Sequence, residues 1–342
     1  METPETPVTA DDVVLTGDRP TGPLHLGHLV GSLQNRVRLQ DVATQYVLVA
    51  DLQALTDHAN EPERIANAVL EVVADYLAVG IDPARTTFAL QSEIPELAEL
   101  TVLYLDLVTV ARLERNPTVR EEIRQRGMQQ SIPAGFLTYP VSQAADITGF
   151  RGTVVPVGED QIPVIEQSNE IVRAVNRLAG TEILPRARPL LSGTPRLPGI
   201  GGDAKMGKSA GNALRLSASP DEIRAAVKAM YTDPQHIRAE DPGRTEGNVV
   251  FAFLDAFDPD RAGLAELAER YRRGGVGDAV TKRRLEGVLL DLLEPIRERR
   301  VEFAADPEHL ANVLLEGTAR SRERVRETLQ TVRSAFGLRL RR

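Results

Sequence analysis

Apolar positions first gather in a short β-branched run, Val13-Val14-Leu15, followed by the turn-rich stretch Gly17-Asp18-Arg19-Pro20-Thr21-Gly22. That pattern predicts a strand and then a loop. Over residues 24–40 the apolar side chains Leu26, Leu29, Val30, Leu33 and Val37 recur at helical spacing. Tyr46-Val47-Leu48-Val49-Ala50-Asp51 is a continuous apolar run ending in a carboxylate, as expected of a parallel strand buried on both faces. An amphipathic helix is predicted over 62–79, closed by Gly80, then a third strand over 87–91 and a helix over 95–115. The βαβαβα order predicts a parallel sheet with helices on both faces. A further strand over 153–158 and a helix over 162–178 continue it.

The Pro/Gly-rich stretch 185–202, PRARPLLSGTPRLPGIGG, breaks the alternation and reads as a linker into a second unit. Beyond Pro220 the periodicity is almost all helical: 220–230, 248–257, 263–272, 277–305 and 307–336. The expected fold class is therefore α/β, a Rossmann-type doubly wound parallel sheet followed by an all-helical domain. The expected boundaries are a disordered tail at 1–12, the α/β domain at 13–200, the helical domain at 201–305 and a last helix at 306–342.

Composition narrows the functional classes. The 342 residues carry 41 Lys+Arg against 49 Asp+Glu, a net charge of −8. That argues against a globally cationic nucleic-acid coat, although a local basic face suffices to bind nucleic acid. Residues 320–342 form such a face, with eight Arg against two Glu. It suits RNA phosphate, or simply a solvated helix face with pairs such as Glu323 with Arg326. The absence of cysteine excludes disulfides, thiolate zinc sites, iron–sulfur clusters and cysteine nucleophiles. No run of 18 apolar residues is present, so no membrane partner is expected. The opening METPETPVTADD lacks the features of a targeting signal. A cytoplasmic protein is expected.

Two short motifs carry candidate chemistry. The first, Pro20-Thr21-Gly22-Pro23-Leu24-His25-Leu26-Gly27-His28, lies between the first strand and the first helix, where an open α/β sheet binds ligands. His25 and His28, three apart, share one side of the helix's first turn. There unpaired backbone N–H groups and the helix dipole favour phosphate. Gly27 removes a side chain between them, so a flat base can approach the backbone. The segment matches neither GxxxxGK[ST] nor GxGxxG. The second motif, Lys205-Met206-Gly207-Lys208-Ser209, is a cationic loop just after the Pro/Gly stretch. Alone it reads as a solvated basic turn; about 180 residues after the first motif, at the expected domain boundary, it becomes specific.

Together these motifs resemble the HIGH and KMSKS elements of the class I aminoacyl-tRNA synthetases. A third element narrows the resemblance: Tyr139-Pro140-Val141-Ser142-Gln143-Ala144-Ala145-Asp146 followed by Val155-Pro156-Val157-Gly158-Glu159-Asp160-Gln161. With TGDRPTG at 16–22, LERNPT at 113–118, SIPAGFLTYPVSQAADIT at 131–148 and MYTDPQHIR at 230–238, the chain is identified as similar to bacterial tryptophanyl-tRNA synthetases. The resemblance implies that L-tryptophan reacts with ATP and Mg²⁺ to give Trp-AMP, which is passed to tRNA(Trp) by a homodimer.

By that resemblance Asp146 accepts the indole N–H, while Tyr139, Gln143 and Gln161 hold the α-ammonium and Val155 and Val157 wall the pocket. Arg19, Pro20, Thr21, Gly27 and His28 line the ATP site, Gly158, Glu159 and Asp160 take the ribose, and Leu197 sits beside adenine. Lys205, Lys208, His25 and His28 act on the phosphates, with Met206, Gly207 and Ser209 completing the loop. No protein side chain is expected to bind metal. Gly207 replaces a serine of the motif, Ala210 a common aspartate and Gln53 a histidine. Arg120 and Glu122 replace a lysine pair, leaving Arg120 or Arg124 as candidate phosphate contacts. An acceptor at 146 also suits a phenol, as in a tyrosyl enzyme. A paralogue that binds tryptophan or its adenylate for a partner and charges tRNA poorly is the alternative from another class.

Overall fold

The computed structural model describes residues 7–191, 197–202, 206–207 and 211–338. Five strands, β1 (Val13–Asp18), β2 (Thr44–Val49), β3 (Thr86–Leu90), β4 (Val154–Val157) and β5 (Arg188–Leu191), form one parallel sheet in the order β3-β2-β1-β4-β5. The strand order reverses between β1 and β4, and such a switch point opens a crevice at the strands' carboxyl ends. Helical segments follow in chain order. The first, α1, joins Leu26–His28, a π-helical turn Leu29–Leu33 and Gln34–Leu39. Next come α2 (Asp51–His58), α3 (Pro62–Ala78), α4 (Pro95–Leu105), α5 (Val110–Glu114), α6 (Pro117–Gln125), α7 (Ala134–Gly149) and α8 (Ile162–Ala179). The remainder are α9 (Pro220–Ala229), α10 (Val249–Phe257), α11 (Arg261–Arg273), α12 (Asp278–Ala304) and α13 (Pro307–Ala335).

Side chains alternate between the two faces of a strand, and the cores divide accordingly. Val47 and Val49 of β2 join Val72, Val73 and Tyr76 of α3 in one cluster. Leu48, between them, joins Leu97 and Leu100 of α4 with Val141 and Ala145 of α7 in the other. Helices thus cover both faces, and the sheet is doubly wound. The first cluster runs on without interruption into Leu285, Leu289 and Leu293 of α12 and Phe253 of α10, so the C-terminal helices share a core with the α/β layers. Asp75 of α3, fully buried, ties this junction to the first motif: it accepts from Leu24 N–H at 2.7 Å and pairs with Arg300 of α12 at 2.6 Å.

Helix α13 lies against the open edge of β3. Thr318 Oγ1 accepts from Leu90 N–H at 2.9 Å, and Arg324 donates to the Phe150 carbonyl at 2.8 Å. Covering an edge strand in this way removes a site for unwanted pairing. Gly317 is the residue at closest approach, where any β-carbon would overlap the Phe88 backbone.

Three expectations need correction. The stretch read as a linker contains β5, whose four residues are all half-buried and whose neighbours are Pro- and Gly-rich, so no apolar run marks it. The helix expected over 95–115 breaks at 106–109, where Thr109 caps a new start by accepting from Arg112 N–H. Residues 7–12 are held rather than frayed: Asp12 accepts from Thr153 Oγ1 at 2.8 Å and from Arg188 at 3.0 Å.

Replacing Gly317 with alanine favours helix by about 1 kcal/mol in isolation, yet forces α13 off β3. Gly317→Ala is expected to lower the thermal midpoint by several degrees, a net loss of about 1–3 kcal/mol. Gly287→Ala on α12, where a β-carbon meets nothing within 4 Å, is expected to hold or raise it. Melting curves of the two variants check this.

Candidate active site

Helix α1 begins at the crevice with its own cap. Gly27 N–H donates to His25 Nδ1 at 3.1 Å, and His25 N–H donates to His28 Nδ1 at 3.3 Å, a reciprocal capping box. Accepting at Nδ1 places the proton of each neutral imidazole on Nε2. The two rings lie 3.9 Å apart between centroids, tilted by 53°. A β-carbon on Gly27 would fall 2.9 Å from the His25 ring and 3.4 Å from Met206 Sδ, so the glycine is needed for close approach.

The two motifs meet here, although 179 residues separate Gly27 from Met206. Met206 is buried at 3% exposure, with its sulfur 3.2 Å from Gly27 N. Leu26 N–H donates to the Leu214 carbonyl and Leu216 N–H to that of Leu24, both at 3.0 Å. Leu197, buried, accepts from Met206 N–H, and Gly207 N–H donates to Asn212 Oδ1 at 3.0 Å. Lys205, Lys208 and Ser209, and Ala210 with them, lie outside the described residues.

Beneath α1, Asp18 at the end of β1 accepts from Arg36 at 2.6 Å and Tyr76 at 2.8 Å. Burial alone would raise its carboxyl, but the Arg36 charge and the hydrogen bonds from Arg36 and Tyr76 hold it well below the usual carboxylate range. Arg19, Pro20 and Thr21 follow in the loop; the Thr21 carbonyl accepts from Arg64 at 3.1 Å. Across the crevice, Gly158 and Glu159 are exposed after β4, Asp160 and Gln161 are half-buried, and Thr118 Oγ1 donates to the Asp160 carbonyl at 2.5 Å. Val155 is buried and Val157 half-buried.

Asp146 is only 5% exposed, in the last turn of α7. That position excludes a role as helix N-cap. Gln53 Nε2 donates to Asp146 Oδ2 at 2.8 Å, and Gln91 Nε2 reaches both carboxylate oxygens at 2.9 Å. Gln91 Oε1 in turn accepts from Gln53 N–H at 3.1 Å. Burial pushes the Asp146 carboxyl up to about 7, against the two glutamine hydrogen bonds and with help from Asp51. A carboxylate offers about four acceptor sites, so the clamp orients Asp146 and leaves it capacity for another donor. Gln53, which stands in place of a histidine, is part of this clamp. Gln91 was not singled out by the sequence; its one signal is its place at the carboxyl end of β3, the rim where such sheets bind ligands.

Tyr139, Gln143 and Asp146 are spaced i, i+4, i+7 and so share one face of α7. The Tyr139 hydroxyl and Gln143 Oε1 are buried and make no hydrogen bond. Burial first, then the charge of Glu122, raises the Tyr139 phenol far above its ordinary value. Nearby, Arg19 and Arg126 both reach Asp57 Oδ2, at 2.5 and 3.0 Å. Sequence reasoning pointed to Arg120 or Arg124 as the cation of this loop. In the structure Arg124 pairs with Glu121 at 2.6 Å, Arg120 is exposed, and Arg126 is directed onto Asp57. The basic C-terminal face is partly absorbed into the fold: Arg322 and Arg326 pair with Glu96, and Arg333 with Glu99.

The buried Asp146 predicts a pH-dependent stability. Its folded pKa lies above the ordinary 3.8, so between about pH 4 and 7 the folded state holds the extra proton and stability falls as pH rises. Asp146→Asn removes that dependence. Relative to the wild type, the variant is expected to gain on the order of a few kcal/mol between pH 4.5 and pH 8. Thermal midpoints of both proteins across that range check it; a constant difference would show that burial does not perturb the group.

Comparison with known proteins agrees with this geometry. The model of the family described as tRNA synthetases class I (W and Y) matches residues 9–294. The chain is 54% identical over 333 residues to the tryptophan–tRNA ligase of Clostridium longisporum, across 96% of this chain and 98% of that one. It is 52% identical over 332 residues to the enzyme of the same name from Lactococcus lactis, across 95% and 97%. The crystal structure of the tryptophanyl-tRNA synthetase of Campylobacter jejuni, complexed with ADP and tryptophan, superposes with a TM-score of 0.81 at 30% identity, over 95% of this chain and 99% of that one. A doubly wound sheet, a histidine pair capping its first helix and a clamped aspartate thus coincide with full-length likeness, and the chain belongs to the class I tRNA synthetases, among the bacterial-type tryptophanyl enzymes.

Proposed function

We propose that the chain is a tryptophan–tRNA ligase, joining L-tryptophan to ATP as Trp-AMP with release of pyrophosphate and then esterifying the 3′ end of tRNA(Trp). The observation that carries this reading is the 54% identity to a tryptophan–tRNA ligase across nearly the whole of both chains. The Asp146 clamp supports it. An indole enclosed in a pocket has a single polar group, its N–H, and needs one oriented acceptor.

In activation a tryptophan carboxylate oxygen attacks the α-phosphorus of ATP, and the bond to the pyrophosphate oxygen breaks. ATP enters as its Mg²⁺ complex, a substrate in itself; among the described residues no group of three or more His, Asp or Glu is placed to hold a metal. The protein's work is to position reactants and to neutralise charge as it moves onto the leaving pyrophosphate. We assign this to the Nε2–H groups of His25 and His28 at the helix terminus and to Lys205 and Lys208. Arg19, Pro20, Thr21 and Gly27, with Met206, Gly207 and Ser209, would line the nucleotide. Gly158, Glu159 and Asp160 would meet the ribose and Leu197 the adenine. Tyr139, Gln143 and Gln161 would hold the α-ammonium, between Val155 and Val157. A cytoplasmic homodimer is the proposed working form.

Selection by Asp146 can be separated from support of α7. Asp146→Ala is expected to slow tryptophan-dependent ATP–pyrophosphate exchange by about one to three orders of magnitude, the cost of an unmet buried donor. The benzothiophene analogue, which has no N–H, should lose much less. Equal losses for both substrates would make Asp146 a structural residue. For Lys208→Ala, single-turnover adenylate formation should fall by about 100-fold with the tryptophan dissociation constant little changed. The reverse outcome would refute its action on the leaving group.

A further inference from the structure

The charge arrangement beside Tyr139 holds one acceptor that the functional reading leaves unused. Glu122, on α6, lies within electrostatic reach of Arg19, Arg126, Asp57 and Asp160. Both guanidiniums are directed onto Asp57 Oδ2, and Glu122 Oε2 is buried without a hydrogen-bond partner. Glu122 is near enough to the Tyr139 hydroxyl to raise it by charge and by a weak hydrogen-bonding contact, but neither Glu122 Oε2 nor the hydroxyl meets the geometry of a formed hydrogen bond. Tyr139 is 7% exposed. Gln143 Oε1, one turn along the same face of α7, and Asp57 Oδ1 are likewise buried and unpaired. Buried polar atoms are rarely left so, and a concentration of them calls for a partner. Here the unpaired atoms are three acceptors and one hydroxyl. They suit a group that donates several hydrogen bonds and carries positive charge; a phosphate or carboxylate would meet Glu122 and Asp57 as like charges.

An ammonium has three donors and no acceptor. Along a helix the rise of about 1.5 Å per residue sets positions 139 and 146 about 10 Å apart, comparable to the length of a tryptophan with its indole N–H at the Asp146 end. We infer that Glu122 is the charged receptor for the substrate's α-ammonium, acting with Tyr139 and Gln143. The inference rests on the functional reading above and adds to it a specificity-determining residue. Glu122 selects for an α-amino acid over the corresponding deaminated acid, as Asp146 selects for the indole.

The test compares tryptophan with indole-3-propionate, which lacks only the ammonium, as substrate and competitive inhibitor of pyrophosphate exchange. Glu122→Gln keeps the size and an acceptor but removes the charge. It is expected to raise the KM for tryptophan by at least about tenfold, the worth of a charged hydrogen bond. The KM for ATP should change by less than about twofold, and indole-3-propionate should bind unchanged or more tightly. Glu122→Asp, which retains the charge, should recover part of the preference. An unaltered tryptophan KM, or equal weakening of tryptophan and indole-3-propionate, would overturn the assignment. Were Glu122→Gln to fold poorly, Glu122→Asp decides against the wild type: it should weaken tryptophan more than indole-3-propionate, and equal weakening of both, or of neither, would overturn the assignment. Failure of the wild type to exchange with tryptophan would instead strike the functional reading itself.

Discussion

A carboxylate removed from water must be compensated, and the candidate pocket is organised around that requirement at Asp146. Isolated burial of the charge would be prohibitive. Two neutral amides lower the cost without cancelling the charge: Gln53 from α2 and Gln91 from the end of β3 each donate to it, and Gln91 holds the Gln53 backbone as well. Had an arginine filled this place, the carboxylate would be neutralised and poorly suited to discriminate a weakly polar N–H. With amides, the group stays poised, its pKa near 7. The clamp also couples the carboxyl ends of β2 and β3 to α7. Asp51 reinforces the rim by accepting from Ser92 N–H at 2.9 Å.

The other half of the crevice depends on a different constraint, the joining of distant chain segments at one helix start. Asp75 fixes the approach to α1 through Leu24 N–H, and Arg300 of α12 in turn holds Asp75. The segment after the second motif pairs with Leu24 and Leu26, and the Met206 sulfur rests against Gly27. The cationic loop is therefore anchored at a buried methionine and at Asn212, close to the histidine pair.

Much of this was legible in the sequence. Strands β1, β2 and β4 announced themselves as apolar runs because a central parallel strand is covered on both faces, and β3 did so although it lies at the sheet edge, where α13 covers it. The edge strand β5 did not, since its residues are half-exposed and its Pro/Gly-rich flanks mimic a linker. The first helix was found by its period, but period alone is blind to the π-helical turn within it. In the site, His25, Gly27, His28, Tyr139, Gln143 and Asp146 stood out through motif spacing. Gln91 did not, because an amide at a strand end looks like an ordinary solvated terminus until a buried acid is found opposite. A linear reading of charge offered Arg120 or Arg124 for the loop but did not resolve side-chain pairing, in which Arg124 meets Glu121 and Arg126 meets Asp57. The basic C-terminal stretch likewise divided only when Glu96 and Glu99 of α4 were seen to face it.

An oriented acceptor serves an indole N–H and a phenol O–H alike, so substrate choice rests on pocket and acceptor together. Amino-acid-dependent ATP–pyrophosphate exchange on the full chain, with tryptophan and tyrosine measured side by side and followed by charging of tRNA(Trp), tests this most directly. The account predicts rapid exchange and charging with tryptophan and negligible exchange with tyrosine. Exchange driven equally well by tyrosine, or tryptophan exchange without transfer to tRNA(Trp), would contradict it.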